Sequence, residues 1–227
     1  MAWILCIETT STNCSVALAS EDGGFANKLG IKYCVDLLED NSDSYSHGEL
    51  LHVYIKEVLE RNGLTTQNLD AIAISKGPGS YTGLRIGVAS AKGLCYALDL
   101  PLVSIDTLTA LSFHASPEKT VISMVDARRM EVYSGVFKNE IVLETVTATV
   151  LTEDSFAGYL EKGNVSVIGT GAPKFKELNK DDKNEYLNVR PTALTMCDLA
   201  LQAYTKSDIV EDIAYYEPFY LKEFKAG

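Results

Sequence analysis

Apolar residues along the first twenty positions fall into two β-rich runs, WILCIETT (3–10) and CSVALAS (14–20), separated by a polar Thr/Ser/Asn turn, which predicts a hairpin. A third strand is expected within 24–35, followed by an acidic solvated loop, DLLEDNSDS (36–44), whose carboxylates lack calcium-loop spacing. SHGE (46–49) has the form of a capping box, with Ser46 accepting from the Glu49 N–H and Glu49 reaching back. With Asn62-Gly63 as a stop, it predicts a first long helix at about 47–61. LDAIAIS (69–75) reads as a strand, GLRIGVASAKGLCYAL (83–98) as a helix that stops before Pro101, and PLVSID (101–106) follows.

The second half opens with another hairpin, TVISMVDA (120–127) and EVYSGVF (131–137), turning at Arg128 to Met130, with EIVLETVTATV (140–150) as its third strand. A helix at about 153–162, a strand VSVIG (165–169), a loop TGAPKF (170–175) and a helix at about 192–205 complete it. The order of elements repeats that of the first half. The expected fold is therefore α/β with a duplicated β-β-β-α-β-α unit, in lobes 1–103 and 104–227, the last helix and tail packing back on the first lobe.

On a helical wheel, Leu50, Leu51, Tyr54, Ile55, Val58, Leu59 and Arg61 of the first helix cover an arc of roughly 180°, wider than the roughly 100° one core face needs. Either the helix is wedged between its own sheet and a neighbour, or it meets a second partner. The second helix is apolar or small nearly all round, with Arg85, Lys92 and Tyr96 as a narrow polar strip, and is expected to be mostly buried. Small residues recur at spacing four in two stripes, Gly83-Gly87-Ala91 and Ala89-Gly93-Ala97, which lets another helix approach closely. Each mid-helix glycine costs about 1 kcal/mol against alanine, a cost that close packing would offset. These features place a docking surface for another chain on Leu50, Leu51, Tyr54, Ile55, Val58, Gly83, Arg85, Gly87, Val88, Ala91 and Lys92.

A chain of 227 residues, 46% hydrophobic, is long enough to bury one large core or two small ones. Its formal net charge of -11, with five arginines among twenty basic residues, argues against a broad phosphate-tracking surface. Any RNA is expected to be held by another chain. Ala2 to Ile7 is too short for a secretory segment, no membrane span is present, and five scattered cysteines without CxxC argue against a disulfide framework or zinc site. The expected location is the reducing cytoplasm.

The glycine-rich stretch SKGPGSYTGLRIG (75–87) matches neither a Walker P-loop nor a dinucleotide fingerprint. Two readings stay open: backbone N–H groups with the Ser80 and Thr82 hydroxyls receive an anion at a helix start, or Gly77 and Gly79 serve turn geometry. His47 and His52, five residues apart, stand about 140° apart around a helix and cannot share one metal ion. They and His114 are expected to be solvated or capping. No serine or cysteine has a nucleophile's neighbours. Arg128 and Arg129 form a turn that could also face an acidic partner.

ILCIETTSTNCSVAL (4–18), GPGSYTGLRIGVASAKGL (77–94), VDARRMEVY (125–133) and EPFYLK (217–222) resemble the bacterial TsaB (YeaZ) family of tRNA threonylcarbamoyladenosine biosynthesis proteins, in order along nearly the whole chain. The resemblance implies two RNase H-like lobes of the acetate kinase, sugar kinase, Hsp70 and actin type. It also implies a non-catalytic paralogue of TsaD, the transferase that forms N6-threonylcarbamoyladenosine at position 37 of tRNAs reading ANN codons. Expected partners are a TsaD-like subunit and a TsaE-like ATPase, with a homodimer when alone and tRNA met only through the complex. The paralogue's two metal-ligand positions fall on Thr107 and Leu111, and its hairpin acid on Thr12, so Glu8 stands alone. A degenerate nucleotide or anion site is expected at Glu8, Thr9, Thr10, Gly77, Gly79, Ser80, Gly169 and Gly171, with no cofactor held by this chain alone and ATP or ADP at the complex interface. The rival expectation is an independent small-molecule kinase or acyl-transferase using Glu8 and the 77–83 loop. A metallopeptidase is disfavoured by the missing ligands.

Overall fold

Strand β1 (Trp3–Glu8) pairs antiparallel with β2 (Cys14–Ser20) in the computed structural model, which describes residues 1–179, 183–206 and 210–222. β2 then pairs antiparallel with β3 (Cys34–Asp40), so the acidic stretch begins as a strand and not as a solvated loop. Its carboxylates are absorbed by distant partners. Asp36 Oδ2 accepts from Asn62 Nδ2 at 3.0 Å and meets Arg61 at 3.3 Å, while Glu39 Oε2 accepts from Thr192 Oγ1 at 2.8 Å. Helix α1 (His47–Arg61) starts where expected but without the capping box, because Ser46 Oγ donates to Asp40 Oδ2 at 2.6 Å.

β4 (Ala71–Ser75) runs parallel to β1, helix α2 (Tyr81–Leu98) follows, and β5 (Leu102–Ile105) runs parallel to β4. Alternation sends Leu5 and Ile7 to the face covered by α1 and α2, and Ile4 and Cys6 to the opposite face. A short helix α3 (Thr107–Ser112), capped by Asp106 accepting from Thr109 N at 2.8 Å, leads into the second lobe. The sequence pattern did not reveal it.

In the second lobe β6 (Thr120–Asp126), β7 (Glu131–Lys138) and β8 (Ile141–Val150) form an antiparallel meander. Helix α4 is only Ala157–Leu160, shorter than the expected 153–162, and begins after Phe156 in a left-handed conformation, φ 60°. β9 (Val165–Ile168) lies parallel to β6, and the expected TGAPKF loop is largely helix α5 (Ala172–Leu178), whose first turn accommodates Pro173. β10 (Glu185–Leu187) pairs parallel with β9.

The predicted last helix is a 3-10 turn (Ala193–Met196), with Thr192 Oγ1 accepting from Leu194 N at 3.3 Å, followed by α6 (Cys197–Lys206). α6 covers the Ile4/Cys6 face of the first sheet, and β11 (Val210–Glu211) adds to the β5 edge. The sheet orders, β11-β5-β4-β1-β2-β3 and β10-β9-β6-β7-β8, are the same five-strand arrangement used twice, with β11 added to the first. This is a pair of RNase H-like lobes.

Candidate functional site

The β1–β2 turn enters the start of α2. Ser80 N donates to Thr10 O at 2.7 Å, Thr9 Oγ1 donates to Gly83 O at 2.9 Å, and Ser80 Oγ accepts from Gly83 N at 3.3 Å. A Cβ at Gly79, Gly83 or Gly87 would collide with Thr10 or Thr9. Gly77, at φ 107°, donates its N–H to Thr107 Oγ1 at 3.1 Å. Thr10 N goes to Glu8 Oε1 at 2.5 Å, Gly169 N to Leu187 O at 3.0 Å and Gly171 N to Met124 O at 3.1 Å. Six of the eight expected anion-loop residues thus interlock in the first lobe, and Gly169 and Gly171 serve the second. These donors are spent inside the chain, which favours the turn-geometry reading, in which the glycines serve close backbone approach.

Thr107 and Leu111 sit one turn apart on α3, both fully buried. Thr107 Oγ1 lies 2.6 Å from Ser75 Oγ in the first lobe. Leu111 packs with Leu108, Val125, Phe137 and Ile168 of the second, and a Cβ at Gly169 would come within 2.7 Å of its Cδ2. A hydroxyl already hydrogen-bonded and an alkyl side chain do not fit a transition metal. Among the described residues no group of three His, Cys, Asp or Glu could hold a metal ion. Glu8, at the end of β1, is fully buried; desolvation raises its pKa, opposed by the nearby Ser75 hydroxyl and by the hydrogen bond from the Thr10 N–H.

Of the three histidines, only His47 departs from the solvated or capping role expected of it. His47 is buried, its Nε2 2.8 Å from Ser11 O, and burial lowers its pKa. It ties the start of α1 to the β1–β2 turn. His114 Nδ1 lies 3.1 Å from Leu111 O and its pKa is also lowered by burial, whereas His52 is exposed, 3.2 Å from Ser90 Oγ. All five cysteines are free and buried, and burial pushes the Cys14 and Cys95 thiols up to about 12.

The expected docking residues divide sharply. Leu51, Ile55, Val58, Gly83, Gly87, Val88 and Ala91 belong to the chain's own core, because the wide arc of α1 is used by its sheet and by α2. Leu50 and Tyr54 are half-buried, and Lys92, also half-buried, donates to Tyr216 O at 2.9 Å. Arg85 is exposed but pinned, its guanidinium 4.2 Å from the Tyr81 ring centroid and hydrogen-bonded to Tyr220. α2 is therefore only half buried, against expectation. Its other stripe, Ala89, Gly93 and Ala97, faces outward, with nothing within 4 Å of a Cβ at Gly93. On the same helix Tyr96 is 86% exposed; Tyr215 of the tail, 85% exposed, and Val53 of α1, 52% exposed, are also at the surface. A groove of about 350 Å³ between the two helices is lined by His52, Ile55, Leu59, Leu64 and Leu94.

Tyr96, on the polar strip of α2, and Val53, outside the apolar arc of α1, are exposed as the wheel implies, whereas no pattern in the sequence singles out Tyr215. Tyr215 sits on the returning tail, where Phe219 N donates to Lys76 O at 2.8 Å and Tyr220 packs 5.0 Å from Tyr81.

The family described as "TsaD: tRNA N6-adenosine threonylcarbamoyltransferase" matches residues 42–220. The chain belongs to this family. Within it, the chain is 28% identical to the tRNA threonylcarbamoyladenosine biosynthesis protein TsaB of Haemophilus influenzae, over 96% of this chain and 93% of that protein. It is 27% identical to TsaB of Escherichia coli, over 96% of this chain and 94% of that one. The crystal structure of a Pseudomonas aeruginosa protein with similarity to peptidase YEAZ superposes with a TM-score of 0.79 at 25% identity, covering 98% of this chain and 100% of that one. The TsaB (YeaZ) branch is thus the part of the family to which the whole length of the chain is similar. Among the described residues no helix is long and apolar enough to cross a membrane.

Proposed function

We propose that this chain is a non-catalytic subunit in the formation of N6-threonylcarbamoyladenosine at position 37 of tRNAs reading ANN codons. It docks a TsaD-like transferase subunit through the outward face of α1 and α2, and a TsaE-like ATPase engages the assembled pair. Alone, it pairs with a second copy through the same face. The names of its relatives supply the pathway. The observation that carries the docking reading is the outward stripe Ala89-Gly93-Ala97 of α2, a close-approach surface with Tyr96 exposed on the same helix.

Buried Thr107 and Leu111 support the absence of catalysis by this chain, since neither side chain takes the place of a ligand imidazole. A nucleotide at the junction draws its main contacts from the partner, because the N–H groups of Gly77, Gly169 and Gly171 are engaged internally. The tRNA reaches this chain within the complex, and five free cysteines suit a reducing cytoplasm.

Size-exclusion co-elution with a TsaD-like subunit tests this reading. Ala89→Glu and Tyr96→Glu, both at exposed positions, leave a folded chain that no longer co-elutes. Unchanged co-elution of both variants overturns the docking face. Steady turnover by the purified chain with ATP, magnesium and small-molecule acceptors would instead revive an independent kinase or acyl-transferase.

A further inference from the structure

Of the five arginines, three are engaged within the chain. Arg61 meets Asp36 and Glu57, Arg85 is held by Tyr81 and Tyr220, and Arg190 donates to Asn41 O at 2.6 Å and Ser42 O at 3.0 Å and pairs with Asp43. Arg128 and Arg129 differ. Both are exposed at the β6–β7 turn, and their guanidinium groups have no partner among the described residues.

The turn holds them in place by other means. Both residues take left-handed backbone conformations, φ 69° and 51°, which side chains other than glycine and asparagine adopt rarely. Arg128 N donates to Asp126 Oδ1 at 2.6 Å, Glu131 N to Arg128 O at 3.2 Å and Ala127 N to Glu131 O at 3.0 Å. The carboxylates on either side are already committed to lysines: Asp126 to Lys174 at 2.7 Å, and Glu131 to Lys222. Neither arginine is neutralised locally, so two adjacent forked cations stand in water on a chain of net charge -11.

We propose that the Arg128–Arg129 turn contacts the phosphodiester backbone of a tRNA whose main hold is on the partner subunit. The inference rests on the docking reading for that main hold. Guanidinium forks match paired phosphate oxygens, and their binding releases condensed counterions from RNA, a gain that exposed carboxylates of a protein partner do not offer. The turn makes a point contact and not a track, in keeping with the overall negative charge.

The test compares the complex of the full chain and a TsaD-like subunit, wild type against Arg128→Gln/Arg129→Gln, for affinity to an ANN-reading tRNA transcript across salt concentrations. The double variant co-elutes normally, binds about tenfold more weakly near physiological salt, and has a log K against log salt slope less steep by about 2. Arg→Lys at both positions keeps most of the slope. Unchanged affinity and slope overturn the proposal, as does loss of co-elution, which would assign the turn to an acidic protein face. If the wild-type chain itself fails to co-elute, the docking reading falls. The turn is then judged on the chain alone at low ionic strength, where tRNA binding indifferent to both arginines overturns it.

Discussion

Leu111 of α3 packs into the space beside Gly169, so close that a Cβ on the glycine would approach its Cδ2 to 2.7 Å. This contact fills, with hydrocarbon, a position that the family resemblance gives to a metal ligand. Leu111→Ala should leave a cavity and cost about 2–5 kcal/mol of stability by chemical denaturation. Gly169→Ala should cost several kcal/mol as well, since its φ of 112° and the nearby Met124 carbonyl both oppose a side chain.

The two small-residue stripes of α2 should respond oppositely to alanine. Gly93→Ala meets open space and gains helix propensity, so it should raise stability by about 1 kcal/mol in thermal unfolding. Gly87→Ala drives a Cβ into Thr9 Oγ1 and should destabilise.

Glu8 gives the stability curve a pH dependence. Burial raises its folded pKa above the ordinary 4.5, so the native state favours the protonated acid. That stabilisation is complete below 4.5 and is lost as pH rises through the folded value. Glu8→Gln should therefore be more stable than wild type at pH 8, with the difference closing toward pH 4, read by urea titration.

His47 acts in the opposite direction. Its folded pKa lies below the ordinary 6.5, so the neutral ring's contribution is present above 6.5 and lost as pH falls through the folded value. His47→Gln, which retains a donor for Ser11 O, should flatten the fall in stability between pH 7 and pH 5.

Periodicity carried most of the architecture: the β1–β2 hairpin, α1 at His47–Arg61 and the repeated element order are all visible in it. Acidic β3 was hidden because its carboxylates are satisfied from far along the chain, Asp36 by Asn62 and Glu39 by Thr192. The glycine-rich stretch was only partly legible for a related reason. Glycine spacing signals close approach but not what approaches, and at Gly79 and Gly83 it is the β1–β2 turn. Likewise, the wheel of α2 could not tell the inward stripe at Gly87 and Ala91 from the outward one at Ala89 and Gly93.

On the proposed reading, this outward stripe receives the transferase subunit. Co-elution of the chain with a TsaD-like partner, measured for wild type, Ala89→Glu and the buried-face control Val88→Ala, tests it most directly. Wild type and Val88→Ala should form the complex and Ala89→Glu, folded by circular dichroism, should not; a full complex with Ala89→Glu would overturn the assignment.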